Sequence, residues 1–148
     1  MVFYRTIIYL LIISIVVCCN KNEDFSNIPQ LTFQTLNPTS IIEFDGPITF
    51  SIIYKDGDGD LGENNPNINN LFLKDQRNNI IYEYRIQELS PNGANIAITG
   101  SIDIVLNTTS ITDESNEQEA IFDIYVIDRA GNQSNTISSD PLTIYKKF

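Results

Sequence analysis

The chain has 148 residues, 9 Lys+Arg against 19 Asp+Glu, no His and two Cys. Without histidine there is no Ser-His-Asp triad, no Cys-His pair and no His-ligated zinc or haem. A formal charge of −10 with no Lys/Arg cluster also argues against nucleic acid as a partner, because a polyanion is gripped by grouped cations. Hydrophobic residues are 42% of the chain and aromatics 10%, which is enough for a packed core and too much for an acidic disordered tail.

Residues 1–17 read MVFYRTIIYLLIISIVV, with Arg5 as the only charge. From Ile7 to Val17 the run is aliphatic except for Tyr9 and Ser14. A charged start followed by such a run predicts a secretory signal peptide. A spanning helix needs about 20 apolar residues. This run ends sooner, at Cys18-Cys19, ahead of Asn20-Lys21-Asn22-Glu23-Asp24. A Cys directly behind a signal run resembles the lipobox of bacterial lipoproteins. The resemblance implies that the Cys is acylated and becomes the first mature residue. Cys19, preceded by Val16, Val17 and the small Cys18, fits that role better than Cys18. Its acyl chains would retain the protein at a membrane, at roughly 0.8 kcal/mol per buried CH₂. The polar, acidic stretch that follows resembles the tether of surface-exposed lipoproteins in Bacteroidetes bacteria. The expected organisation is a signal over 1–18, a lipidated Cys19 with tether over 19–27, and one domain over 28–148. Cleavage removes Arg5 and no acid, leaving 8 Lys+Arg against 19 Asp+Glu, a mature charge of −11.

The remainder alternates with period two. Gln30–Leu36 is a short strand candidate. Ile48, Phe50, Ile52 and Tyr54 form one face of the next run. Asn70–Lys74 follows, then Ile80, Tyr82, Tyr84 and Ile86 on one face. Ile96, Ile98, Gly100, Ile102, Ile104 and Leu106 line a long segment. Phe122, Ile124 and Val126 line another, and Pro141–Tyr145 closes the chain. This is the pattern of half-buried antiparallel strands. Asp113–Glu119 alone admits a short helical turn. Ser90-Pro91-Asn92-Gly93 reads as a hairpin loop between two of the runs, and Asp45-Gly46-Pro47 and Ala130-Gly131-Asn132 as turns. About seven short strands predict an all-β, antiparallel β-sandwich, with a small closed barrel as the alternative.

Asp56-Gly57-Asp58-Gly59-Asp60 is the densest chemical feature. Alternate carboxylates can turn inward together where glycine permits a tight backbone. Hard cations take six to eight oxygens, which makes Ca²⁺ the natural occupant. The loop is no EF-hand, since position 6 is Leu61 and position 12 is Asn67. If the runs ending at Lys55 and Ile127 leave the same end of a sandwich, Asp128 joins the three loop acids as a ligand. Asn132 and Glu63 are then further oxygens within reach. Uncompensated, four carboxylates would repel one another. The competing reading is a solvated Asp-Gly turn.

The run Phe122-Asp123-Ile124-Tyr125-Val126-Ile127-Asp128-Arg129-Ala130-Gly131-Asn132-Gln133-Ser134 resembles the penultimate strand and loop of bacterial immunoglobulin-like domains of the cadherin/PKD type. The run Ile52 to Gly62 with Asn70-Leu71-Phe72-Leu73 resembles a segment of Bacteroidetes lipoproteins of that type. These likenesses imply an immunoglobulin-like sandwich in an outer-membrane, lipid-anchored protein facing either the periplasm or the outside. The expected function is a non-enzymatic binding, adhesion or structural module stiffened by Ca²⁺, with an unknown protein or glycan partner. The alternative is a carbohydrate-binding accessory of a surface glycan-uptake system. A carboxylate-based hydrolase is the remote one.

Overall fold

The computed structural model describes residues 25–91 and 93–148. The signal, Cys19 and the first part of the tether lie outside the described residues. Among the described residues ten strands follow one another: β1 Gln30–Asn37, β2 Ser40–Ile42, β3 Ile48–Asp56, β4 Leu71–Asp75, β5 Ile81–Tyr84, β6 Ile98–Leu106, β7 Glu117–Ala120, β8 Phe122–Val126, β9 Ile137–Ser138 and β10 Leu142–Tyr145. The described residues contain no helix. The fold is all-β and sandwich-like.

The strands come from seven runs, because three runs are interrupted. Pro38, which has no N–H to give a ladder, separates β1 from β2. Ile121 separates β7 from β8, and Ser139 to Pro141 separate β9 from β10. The interruptions let one run serve two partners. β1 pairs with β3, whereas its continuation β2 pairs with β10. The resulting orders are β1-β3-β6, β2-β10-β7 and β5-β4-β8-β9.

Four expectations need correction. The sheets are not purely antiparallel, since β2 and β10 run parallel. Asp113–Glu119 forms no helical turn: its end enters β7, which pairs with β10 and buries Ala120. β5 and β6 do not form the expected hairpin. β5 pairs with β4 and β6 with β3, so residues 85–97 cross between sheets. Their alternation places Ile86 in the core instead of building a ladder. Ile96 is 51% exposed and precedes β6 instead of lining its inner face.

The core follows from the period. Ile48, Phe50 and Ile52 of β3 are fully buried, as are Phe122, Ile124 and Val126 of β8 and Leu73 of β4. Phe50 and Phe122 meet edge to face at 5.1 Å between centroids, which joins the sheet of β3 to the sheet of β8. The strand registers send four segments to one end: 25–29, 56–70, 85–97 and 127–136. At the opposite end lie the β2–β3 loop, the β4–β5 turn and residues 107–116. None of the described residues belongs to a helix long and apolar enough to cross a membrane.

Candidate metal centre

Asp56 is the last residue of β3 and keeps its inward phase, with 0% exposure. The chain then turns back because Leu61 is also fully buried, a plug that closes the loop. The Leu61 N–H donates to Asp56 Oδ2 at 2.8 Å. Between them, Gly59 has φ +73° and lies against the Ile96 carbonyl, so a side chain there would be strained and would collide. The Ser90 hydroxyl donates to the Gly59 carbonyl.

The loop after β8 clamps the other flank. Arg129 N–H donates to the Asp60 carbonyl at 3.3 Å, and Ala130 N–H to Asp60 Oδ2 at 3.0 Å. The Arg129 guanidinium donates to the Gly62 carbonyl at 2.9 Å and pairs with Glu88 at 3.6 Å. Held this way, Asp56, Asp58 and Asp60 each bring one carboxylate oxygen within 4.8 Å of the others.

The electrostatics are unfavourable for a bare protein. Oδ1 of Asp56, of Asp58 and of Asp60 is buried, and none has a hydrogen-bond partner. Buried acceptors are nearly always satisfied, and an orphan costs about 1–3 kcal/mol. Burial pushes the Asp56 carboxyl up to about 6; the neighbouring charges of Asp58 and Asp60 add to this and the Leu61 N–H opposes it. Asp60 is likewise raised, first by burial and then by the charges of Asp128 and Asp58. Three converging acids with unused oxygens supply part of the oxygen set that a hard divalent cation takes.

Asp128 sits close enough to act on Asp60 electrostatically, but its oxygens are engaged otherwise. Oδ1 accepts the Asn132 N–H at 2.7 Å and Oδ2 the Asn132 side-chain amide at 2.9 Å. The two loops therefore meet at one end as the sequence predicts. Asp128 lies outside the 4.8 Å group, and it and Asn132 serve each other. Glu63 also stands apart, accepting the Asn65 N–H at 2.8 Å.

Two supports were not legible from motifs. Asn70 is buried, and its side chain mimics a strand: Oδ1 accepts the Ile86 N–H at 2.6 Å and Nδ2 donates to the Ile86 carbonyl at 3.3 Å. Asn70→Ala should lower stability by about 1–3 kcal/mol in urea unfolding, since the Ile86 amide loses its partner in the core. The other is Arg129, which reads in sequence as one more charge in a turn.

In comparisons with known proteins, no family model matches the chain, and no curated protein or solved structure matches it significantly.

Proposed function

We propose that the chain is a non-enzymatic, lipid-anchored envelope protein, held at the outer membrane through Cys19. In this reading a single immunoglobulin-like sandwich serves as a binding or structural module, stiffened by Ca²⁺ at Asp56, Asp58 and Asp60. One observation carries the proposal: three carboxylates converge in one clamped loop, and each has a buried, unpartnered oxygen. A cation satisfies all three at once and removes their mutual repulsion. The switch of the first run from β3 to β10 supports the immunoglobulin-like reading. The lack of His throughout and of any Cys after residue 19 supports a role without catalysis, because carboxylates and hydroxyls are the main reactive groups left.

Calorimetric titration with Ca²⁺ tests the metal; no heat and no change in melting temperature would remove it. The anchor has its own test. Cys19→Ser should abolish incorporation of a labelled fatty acid, and label that persists would move the site to Cys18 or to another anchor. One observation favours the glycan-accessory reading as second choice. Phe72 and Tyr125, half-buried on adjacent strands, stack at 4.9 Å and 14°, a two-ring surface of the kind that sugars pack on. A glycan array without signal would dismiss it.

A further inference from the structure

The tether and the acidic loop leave the sandwich together. The Gly57 N–H donates to the Ser26 carbonyl at 2.8 Å, and Lys55 Nζ stands 5.5 Å from the centroid of the Phe25 ring. Residues 25 and 26 are thus fastened to the first turn of the Asp-Gly loop. Cys19 is six residues before Phe25, and six residues reach at most about 20 Å. A lipid on Cys19 would therefore hold Phe25, and with it the acidic end, within about 20 Å of the bilayer.

The surface around the loop suits that position. Ile28 is 49% exposed, Leu89 38% and Ile96 51%. Ile28 is two residues past Ser26. Leu89 precedes Ser90, whose hydroxyl holds Gly59, and the Ile96 carbonyl lies against the same glycine. Three exposed apolar side chains consequently stand on the two segments that touch the acidic loop. A domain at −11 is repelled by anionic lipid unless its nearest acids are neutralised. The cluster alone would say little. Its weight comes from Asp56, fully buried with one oxygen unpartnered, which marks a place built to hold a cation.

We propose that this end of the sandwich docks on the membrane that anchors it, with the cation at Asp56, Asp58 and Asp60 bridging to anionic lipid headgroups and Ile28, Leu89 and Ile96 entering the headgroup layer. The inference rests on the cation and anchor readings given above. The apolar residues supply burial, and the cation relieves the repulsion of the acids nearest the headgroups and bridges to them. Docking would fix the module's orientation, leaving the Phe72–Tyr125 face and the far end turned to partners.

The test uses the full chain, purified from the membranes of an expressing bacterium and placed in phosphatidylcholine vesicles with or without phosphatidylglycerol. A nitroxide is attached at Ile96→Cys or, at the far end, at Ile80→Cys. Its collisions with lipid-soluble oxygen and with a water-soluble nickel relaxant are compared. With Ca²⁺ and phosphatidylglycerol the oxygen-to-nickel ratio at position 96 should rise several-fold. EDTA, pure phosphatidylcholine or an added Asp58→Asn should cancel the rise, and position 80 should stay aqueous throughout. If position 96 stays aqueous while calorimetry on the same sample shows bound Ca²⁺, docking is wrong and the cation site stands. If no Ca²⁺ binds, the cation reading falls first and docking with it. Nitroxide uptake at Cys19 in the parent chain would show an unblocked thiol and overturn docking through its anchor.

Discussion

Adding Ca²⁺ to the metal-free chain should raise its melting temperature by roughly 10 °C at a hundredfold excess over the dissociation constant. That excess is worth about 2.7 kcal/mol when only the folded state binds, and a domain of this size converts each kcal/mol into about 4 °C. Asp56→Asn should abolish the shift. It should also leave the metal-free protein at least as stable as the parent, because the amide oxygen still accepts the Leu61 N–H while a buried charge disappears from beside Asp58 and Asp60. Loss of the response together with a retained or higher baseline separates ligand removal from misfolding. A variant that melts lower and still responds to Ca²⁺ would contradict this account.

The pH dependence follows from the same group. The Asp56 pKa is about 6 in the folded chain against an ordinary 3.8. Between those values the folded state holds more of the proton than the unfolded one. The contribution to stability is therefore present at low pH and is lost as pH rises through that window. Asp60, raised in the same direction, adds to it. Metal-free protein should resist urea better near pH 4.5 than near pH 7 as far as these two acids decide. With Ca²⁺ the sign reverses, since protons displace the cation, and the metal's stabilisation should fade as pH falls below about 6. Urea midpoints measured with and without Ca²⁺ across this range give both curves, and parallel curves would exclude competition at Asp56.

Much of this end of the molecule was legible in the sequence. The inward phase of Ile48 to Tyr54, carried two residues further, accounts for the inward position of Asp56. Two strands running the same way predict that the loops after them meet, and the Asp60–Ala130 contact fulfils it. Period two cannot say which partner a strand takes. The 90–93 turn therefore reads as a hairpin in sequence, though β5 and β6 lie in different sheets, with Ile86 as a plug and Asn70 as its clasp. Nor does residue type disclose how a carboxylate is used. Asp128 resembles the loop acids in sequence, yet its oxygens close its own turn on Asn132. Local chain reversal competes with ligation for the same oxygens, and only geometry decides between them.

Arg77→Ala should cost about 3–5 kcal/mol, the range found when one partner of a buried ion pair is removed. Arg77 belongs to the far end, in the turn between β4 and β5, where nothing in the sequence marks it. Its five N–H groups all have acceptors. Nε donates to Asp75 Oδ1 at 3.0 Å, and Nη2 to Asp75 Oδ2 at 2.6 Å and to Thr109 Oγ1 at 3.0 Å. Nη1 donates to the Ser110 carbonyl at 3.0 Å and to Gln118 Oε1 at 2.8 Å. The side chains of Asp75 and Arg77 are 0% and 9% exposed, so truncation strands a carboxylate in the core and frees three segments at once. Arg77→Lys should recover little, because an ammonium cannot reproduce the fork. Asp75→Leu with Arg77→Met should recover most, since removing both charges removes the stranded one. Urea unfolding of the four proteins makes the comparison, and a mild Arg77→Ala with a damaging double variant would mean that the guanidinium acts through packing alone. The site shares no partner with the acidic loop, so Ca²⁺ binding should be unchanged in any variant that folds, and its stabilisation should add to the loss at Arg77 independently.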